Sequence, residues 1–152
     1  MNKKRYAAEI ELIDVEFYNS AMVRAYWEIG KSIVEKQGGE TKAEYGTKLL
    51  RELSKQMTTD FGKGFTVTNL SYMRQFYLTF PNYHALRDEL SWTHYRLLIK
   101  VENEKARQFY LDECVKSAWS TRQLERQINT LFYERLLSSR DKAGVASEIT
   151  KL

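Results

Sequence analysis

Apolar residues recur along this chain at three- and four-residue intervals nearly everywhere, and no convincing two-residue alternation of strand type appears. Ile10, Ile13, Phe17, Ala21, Trp27, Ile33 and Val34 predict a long amphipathic helix over roughly Lys3 to Gln37, stopped by the glycines of "GGE" at 38–40. Leu49, Leu50, Leu53 and Met57 predict a second helix from Thr47 to Phe61, after which Gly62 and Gly64 supply a tight turn. Thr66 stands where an N-cap belongs, with a hydroxyl that can accept from an orphan backbone N–H. A third helix then runs to Phe80, where Pro81 prevents continuation. Helix, short glycine turn, helix over about 47–80 is the sequence form of a helix-turn-helix.

Further helices follow the chain's single proline. Ser91 can cap "WTHYRLLIKV", and Asn103 can cap "EKARQFYLDECVKSA", in which Ala106, Phe109, Tyr110 and Cys114 share one face. "WSTRQLERQI" carries the strongest local signal: Ser120 and Gln123 at the spacing of a capping box, Trp119 and Leu124 at the two positions of a hydrophobic staple. Leu124, Ile128, Leu131 and Phe132 then predict a continuous stripe along a last helix. After Arg140 the periodicity fades, and 141–152 reads as a linker or tail. The whole pattern predicts an all-α, multi-helix domain over 1–140, with a second helical subregion at about 91–138.

Composition acts mainly by exclusion. With 43% hydrophobic and 29% charged residues, the 152-residue chain suits a folded domain with a real core rather than a disordered one. It holds no run of about 18 apolar residues that could span a membrane. The first residues also lack the apolar core and cleavage site of a secretory signal. One cysteine, Cys114, and two histidines, His84 and His94, offer neither an internal disulfide nor metal-ligand spacing. A cytoplasmic, reduced chain without metal or cofactor is the expectation.

Charge adds a location. The net +4 is modest, but 47–80 holds Lys48, Arg51, Lys55, Lys63 and Arg74 against Glu52 and Asp60, five cations to two acids, or +3. The span 119–140 holds Arg122, Arg126, Arg135 and Arg140 against Glu125 and Glu134, or +2, which leaves about −1 for the remainder. Projected at about 100° per residue, the third helix separates Leu70, Met73, Phe76, Tyr77 and Phe80 from Thr68, Ser71, Tyr72, Gln75 and Thr79. Short polar groups early in a helix suit base edges in a major groove, and Lys48, Arg51, Lys55 and Lys63 suit phosphates. Arg122 and Arg126 join them as candidate DNA contacts. Arg74, near the apolar border, is a candidate contact whose stem also suits packing.

Any surface helix shows a polar outer face, so a protein-interaction module stays open as the alternative. It would dimerise through the long first helix and the stripe Leu124, Ile128, Leu131, Phe132 and Leu136. Catalysis has little support: the one acid-x-lysine element, Glu40-Thr41-Lys42, lies in a glycine turn without a strand pattern, and Asp112 and Glu113 point apart on a helix. Cys114 reads as a buried thiol and His94 as a residue that packs or bonds near its helix start.

Four segments in order, "YWEIGKSIVEKQ", "EYGTKLLRELSKQM", "FGKGFTVTNLSYMRQFYLTFP" and "LSWTHYRLLIKVENEKARQFYLDECVKSAWSTRQLERQINTLFYERLLSSRDK", resemble the N-terminal domain of the YhcG family over roughly residues 21–142. That resemblance implies a helical DNA-binding region followed by a PD-(D/E)XK catalytic domain of restriction-endonuclease type. This chain stops at Leu152, where such a domain would begin. The implied role is therefore to bind double-stranded DNA and position a nuclease domain, in cis or in trans, without catalysis of its own. The stretch 90–125 is also similar to the helices that follow the helix-turn-helix of ParB-type partition proteins, which places 62–80 at the turn and recognition helix.

Overall fold

The computed structural model describes residues 15–37, 43–139 and 144. Among the described residues every regular element is helical: α1 (Val15–Lys36), α2 (Ala43–Phe61), α3 (Val67–Thr79), a 3-10 turn (Tyr83–Ala85), α4 (Trp92–Ile99), α5 (Glu104–Lys116), α6 (Thr121–Asn129) and α7 (Phe132–Ser138). The all-α expectation holds. The predicted reach of the first helix before Val15, the "GGE" stop and all of the 141–152 tail except Gly144 lie outside the described residues. The chain divides into two compact units, Met1–Trp92 and Thr93–Leu152.

In the first unit α3 packs along α1 and also meets α2. The approach to α1 is close because of one glycine. A Cβ on Gly30 would lie within 2.7 Å of the Met73 carbonyl carbon and closer still to its oxygen, so a side chain is excluded there. Leu70, Met73 and Phe76 are fully buried on α3, and Val23, Trp27 and Ile33 are buried on α1. The Trp27 indole N–H donates to the Phe80 carbonyl at 2.8 Å, satisfying an acceptor that the end of α3 leaves open. Arg24 anchors the loop after Pro81: its Nε and Nη2 donate to Asp88 at 3.1 and 2.8 Å, and its guanidinium lies 4.6 Å from the centre of the Tyr83 ring. Ser20 donates to the same carboxylate oxygen at 2.6 Å, and these two donors hold Asp88 below the usual carboxylate range.

In the second unit α5, α6 and α7 pack on one another around Tyr110, Leu111, Cys114, Leu124 and Phe132. Asn103 caps α5, accepting from the Ala106 amide at 2.9 Å. The Ser120–Gln123 capping box forms in both directions at the start of α6. The staple residues Trp119 and Leu124 are both buried.

The predicted last helix needs correction. It breaks at Thr130–Leu131 into α6 and α7, with Leu131 in the left-handed region at φ 56 and ψ 45. The competing bond is long-range. In a continuous helix the Tyr133 amide would donate one turn back, but here it donates to the Tyr110 hydroxyl at 3.0 Å. That hydroxyl in turn donates to Glu134 at 3.0 Å, and Phe109 stacks on Phe132 with ring centres 5.7 Å apart. Leu124 and Phe132 are thus core residues of their own unit, while Leu131 is 56% exposed, and the stripe proposed for dimerisation is not a single open face.

Candidate nucleic-acid interface

On α2, Lys48, Arg51 and Lys55 are all exposed, and their three- and four-residue spacing places them on one side of the helix. At about 100° per residue this stripe lies next to Thr47 and Ser54 and away from Leu50, Leu53 and Met57. None of the three, nor exposed Lys63 in the following turn, is paired with a carboxylate among the described residues. Helix α2 begins at Ala43, a turn earlier than its periodicity suggests.

The turn from α2 to α3 is built for rigidity. Gly62 (φ 85) and Gly64 (φ 110) take backbone angles that a side chain would strain, and the Gly62 amide still donates to Thr58 at 3.0 Å. Thr66 caps α3, its hydroxyl accepting from the Asn69 amide at 3.1 Å. Two residues that sequence reasoning passed over complete the lock. Asn69 Nδ2 donates to the Gly64 carbonyl at 2.6 Å while its Oδ1 accepts from the Trp92 indole at 3.3 Å, and Ser54 Oγ donates to the Phe65 carbonyl at 2.7 Å. The available signal for Asn69 was its place three residues after the capping threonine. Nothing in the local sequence pointed to Ser54.

Helix α3 then turns Thr68, Ser71 and Gln75 outward, all exposed, with Tyr72 half-buried beside them. Thr47 and Leu50 of α2 and Val67, Thr68, Ser71 and Tyr72 of α3 line an open groove of about 520 Å³. The cation stripe borders that groove on the Thr47 side. Gln75, itself exposed, donates from Nε2 to Thr79 Oγ1 at 3.2 Å.

Arg74 is the sequence candidate that turns away from this face. Its Nε donates at 2.8 Å to Oε1 of Gln37, a residue only 2% exposed. Gly46 closes over the other end of the same amide, where a Cβ would stand 2.5 Å from Gln37 Nε2. A buried amide thus gathers the end of α1, the start of α2 and the middle of α3. Arg122 and Arg126 belong to the second unit and lie on α6.

The remaining titratable groups of interest serve packing. Cys114 is buried, its thiol is pushed up to about 12 by burial, and its Sγ lies 3.7 Å from the Trp119 carbonyl. His94 Nε2 is 2.8 Å from that same carbonyl, 25 residues along the chain rather than within its own helix start, and burial holds the imidazole below its ordinary range. Burial likewise raises the Tyr110 hydroxyl to about 12. Among the described residues no group of three or more His, Cys, Asp or Glu is placed to hold a metal ion, and no helix is long and apolar enough to cross a membrane. Glu40-Thr41-Lys42 lies outside the described residues.

Residues 11–135 match the family described as "DUF1016 N-terminal domain". The chain is also 36% identical, over 167 aligned positions, to a protein of Escherichia coli (strain K12) named "Putative nuclease YhcG". That alignment covers 88% of this chain and 44% of the relative, so the chain spans less than half of the relative's length. No solved structure matches. The order of the four segments, the helical architecture and a match that takes in most of the chain agree: this protein belongs to the DUF1016 N-terminal domain family, the N-terminal region of YhcG-like proteins.

Proposed function

We propose that the first unit is a DNA-binding helix-turn-helix module that positions an associated nuclease domain and has no catalytic activity of its own. One juxtaposition carries this reading. An unpaired cation stripe on α2 (Lys48, Arg51, Lys55) borders a groove into which α3 presents Thr68, Ser71 and Tyr72, with Gln75 one turn further on. Lysine and arginine supply the phosphate attraction, and short polar side chains near a helix start supply base-edge donors and acceptors. The locked turn between α2 and α3 fixes the angle at which the two are offered. The nuclease association is supported by the name of the E. coli relative, of which this chain matches less than half.

Fluorescence anisotropy with pooled random duplexes at several salt concentrations tests the reading. Each phosphate contact contributes about −0.9 to the slope of log K against log salt, so K48Q/R51Q/K55Q should flatten the slope by about 2.7. Substituting Thr68 should change sequence preference instead, by about 1–3 kcal/mol at one base pair. A chain that binds no duplex even at low salt, and forms a dimer by light scattering, would replace this reading with the interaction module. A metal-dependent plasmid-nicking activity lost in carboxylate variants would remove its non-catalytic part.

A further inference from the structure

The second unit contains its own cationic concavity, about 440 Å³ in volume. Thr93 at the start of α4 lines it together with Thr121, Arg122, Glu125, Arg126 and Asn129 of α6. Arg122 and Arg126 are one helical turn apart and both exposed, so their guanidiniums project from one face. Neither forms an ion pair among the described residues, although Glu125 lies in the same concavity.

The helix start alone does not make this an anion site. Its capping box already uses the Gln123 amide for Ser120 Oγ at 3.1 Å and the Ser120 amide for Gln123 Oε1 at 2.8 Å. Attraction therefore falls to the two guanidiniums, whose planar donor forks match the oxygens of a phosphate, with the hydroxyls of Thr93 and Thr121 and the Asn129 amide in reach of the same space. Two cations against one carboxylate leave the concavity at +1.

We infer that this concavity binds a backbone phosphate of a nucleic acid, giving the second unit a foothold of its own. The choice of nucleic acid rests on the function proposed for the first unit. The anion site rests on the second unit alone.

The test uses the full chain. In duplex titrations R122Q/R126Q should flatten the salt slope by about 1.8, two contacts' worth, with unchanged circular dichroism. E125Q should bind duplex more tightly than the unsubstituted chain, an effect that a structural role would not produce. An unchanged slope in R122Q/R126Q, while the unsubstituted chain binds DNA normally, overturns the second foothold and leaves the first unit's function intact. If the unsubstituted chain binds no duplex, the first unit's reading fails, and inorganic phosphate becomes the deciding probe. Backbone amide signals of α6 that shift on phosphate addition, and no longer do so in R122Q/R126Q, keep the anion site. Signals that do not move overturn it as well.

Discussion

The two faces of α3 are made differently. The face toward α1 is closed: Leu70, Met73 and Phe76 are fully buried, Gly30 admits the α3 backbone where no side chain would fit, and Gln37 holds Arg74 from the side. The opposite face is open, with Thr68, Ser71 and Gln75 in solvent. The closed face gives the open one a defined direction, since α3 cannot roll about its axis without lifting Met73 from Gly30 and pulling Arg74 from Gln37. A substitution on the closed face should therefore register as stability, and one on the open face as binding.

The largest effect is expected at Gly30. Alanine in mid-helix would normally stabilise by about 1 kcal/mol. Here its Cβ meets the backbone of Met73, which cannot swing aside as a flexible side chain could. Overpacking of this kind costs up to about 3 kcal/mol, so Gly30→Ala should lose about 2 kcal/mol net. Thermal unfolding should show a Tm lower by several degrees. An unchanged or raised Tm would mean that α1 and α3 do not approach this closely, and the contrast between the faces would weaken.

Next comes the buried amide. Arg74→Met keeps the apolar stem and removes the guanidinium, leaving Gln37 Oε1 inside the protein without its donor. An unsatisfied buried acceptor costs about 1–3 kcal/mol, and about 1.5 kcal/mol is expected in urea unfolding. Adding Gln37→Leu should recover part of that loss, because the polar group left behind is removed too. Fully additive losses in the double variant would show that the two residues act separately.

Arg74 also marks the limit of what the sequence can say. The apolar stripe of α3, the Thr66 cap, the capping box at Ser120 and the glycine turn were all legible, because each is set by residues within a few positions of one another. Gly62 and Gly64 announce left-handed backbone, since glycine alone adopts it without cost. Leu131 takes the same kind of backbone unannounced, at a cost of about 1–2 kcal/mol. The Tyr110 hydroxyl, 23 residues earlier, claims the amide that would have continued the helix. Gly30 reads locally as a weak position in a helix, and its purpose appears only once Met73 lies across it. The exposure of Lys48, Arg51, Lys55, Lys63, Thr68, Ser71 and Gln75 was likewise readable from periodicity and charge. Which cation turns inward, and that Asn69 and Ser54 brace the turn, depend on contacts that periodicity does not encode.

The smallest stability effect is expected on the open face, where the contrast is sharpest. Ser71 and Gln75 are exposed, and the Gln75–Thr79 hydrogen bond competes with water on both sides. S71A/Q75A should therefore stay within about 0.5 kcal/mol of the unsubstituted chain in urea unfolding, with the better helix propensity of alanine offsetting the lost bond. If α3 reads DNA, the same variant should lose discrimination between duplex sequences while keeping most of its salt slope, because the α2 cations proposed to meet phosphates are untouched. A stability loss above about 1 kcal/mol would show that these side chains are held by the fold after all. Unchanged stability with unchanged sequence preference would leave the open face of α3 without the reading role proposed for it, and would transfer the whole of any DNA affinity to the cation stripe of α2.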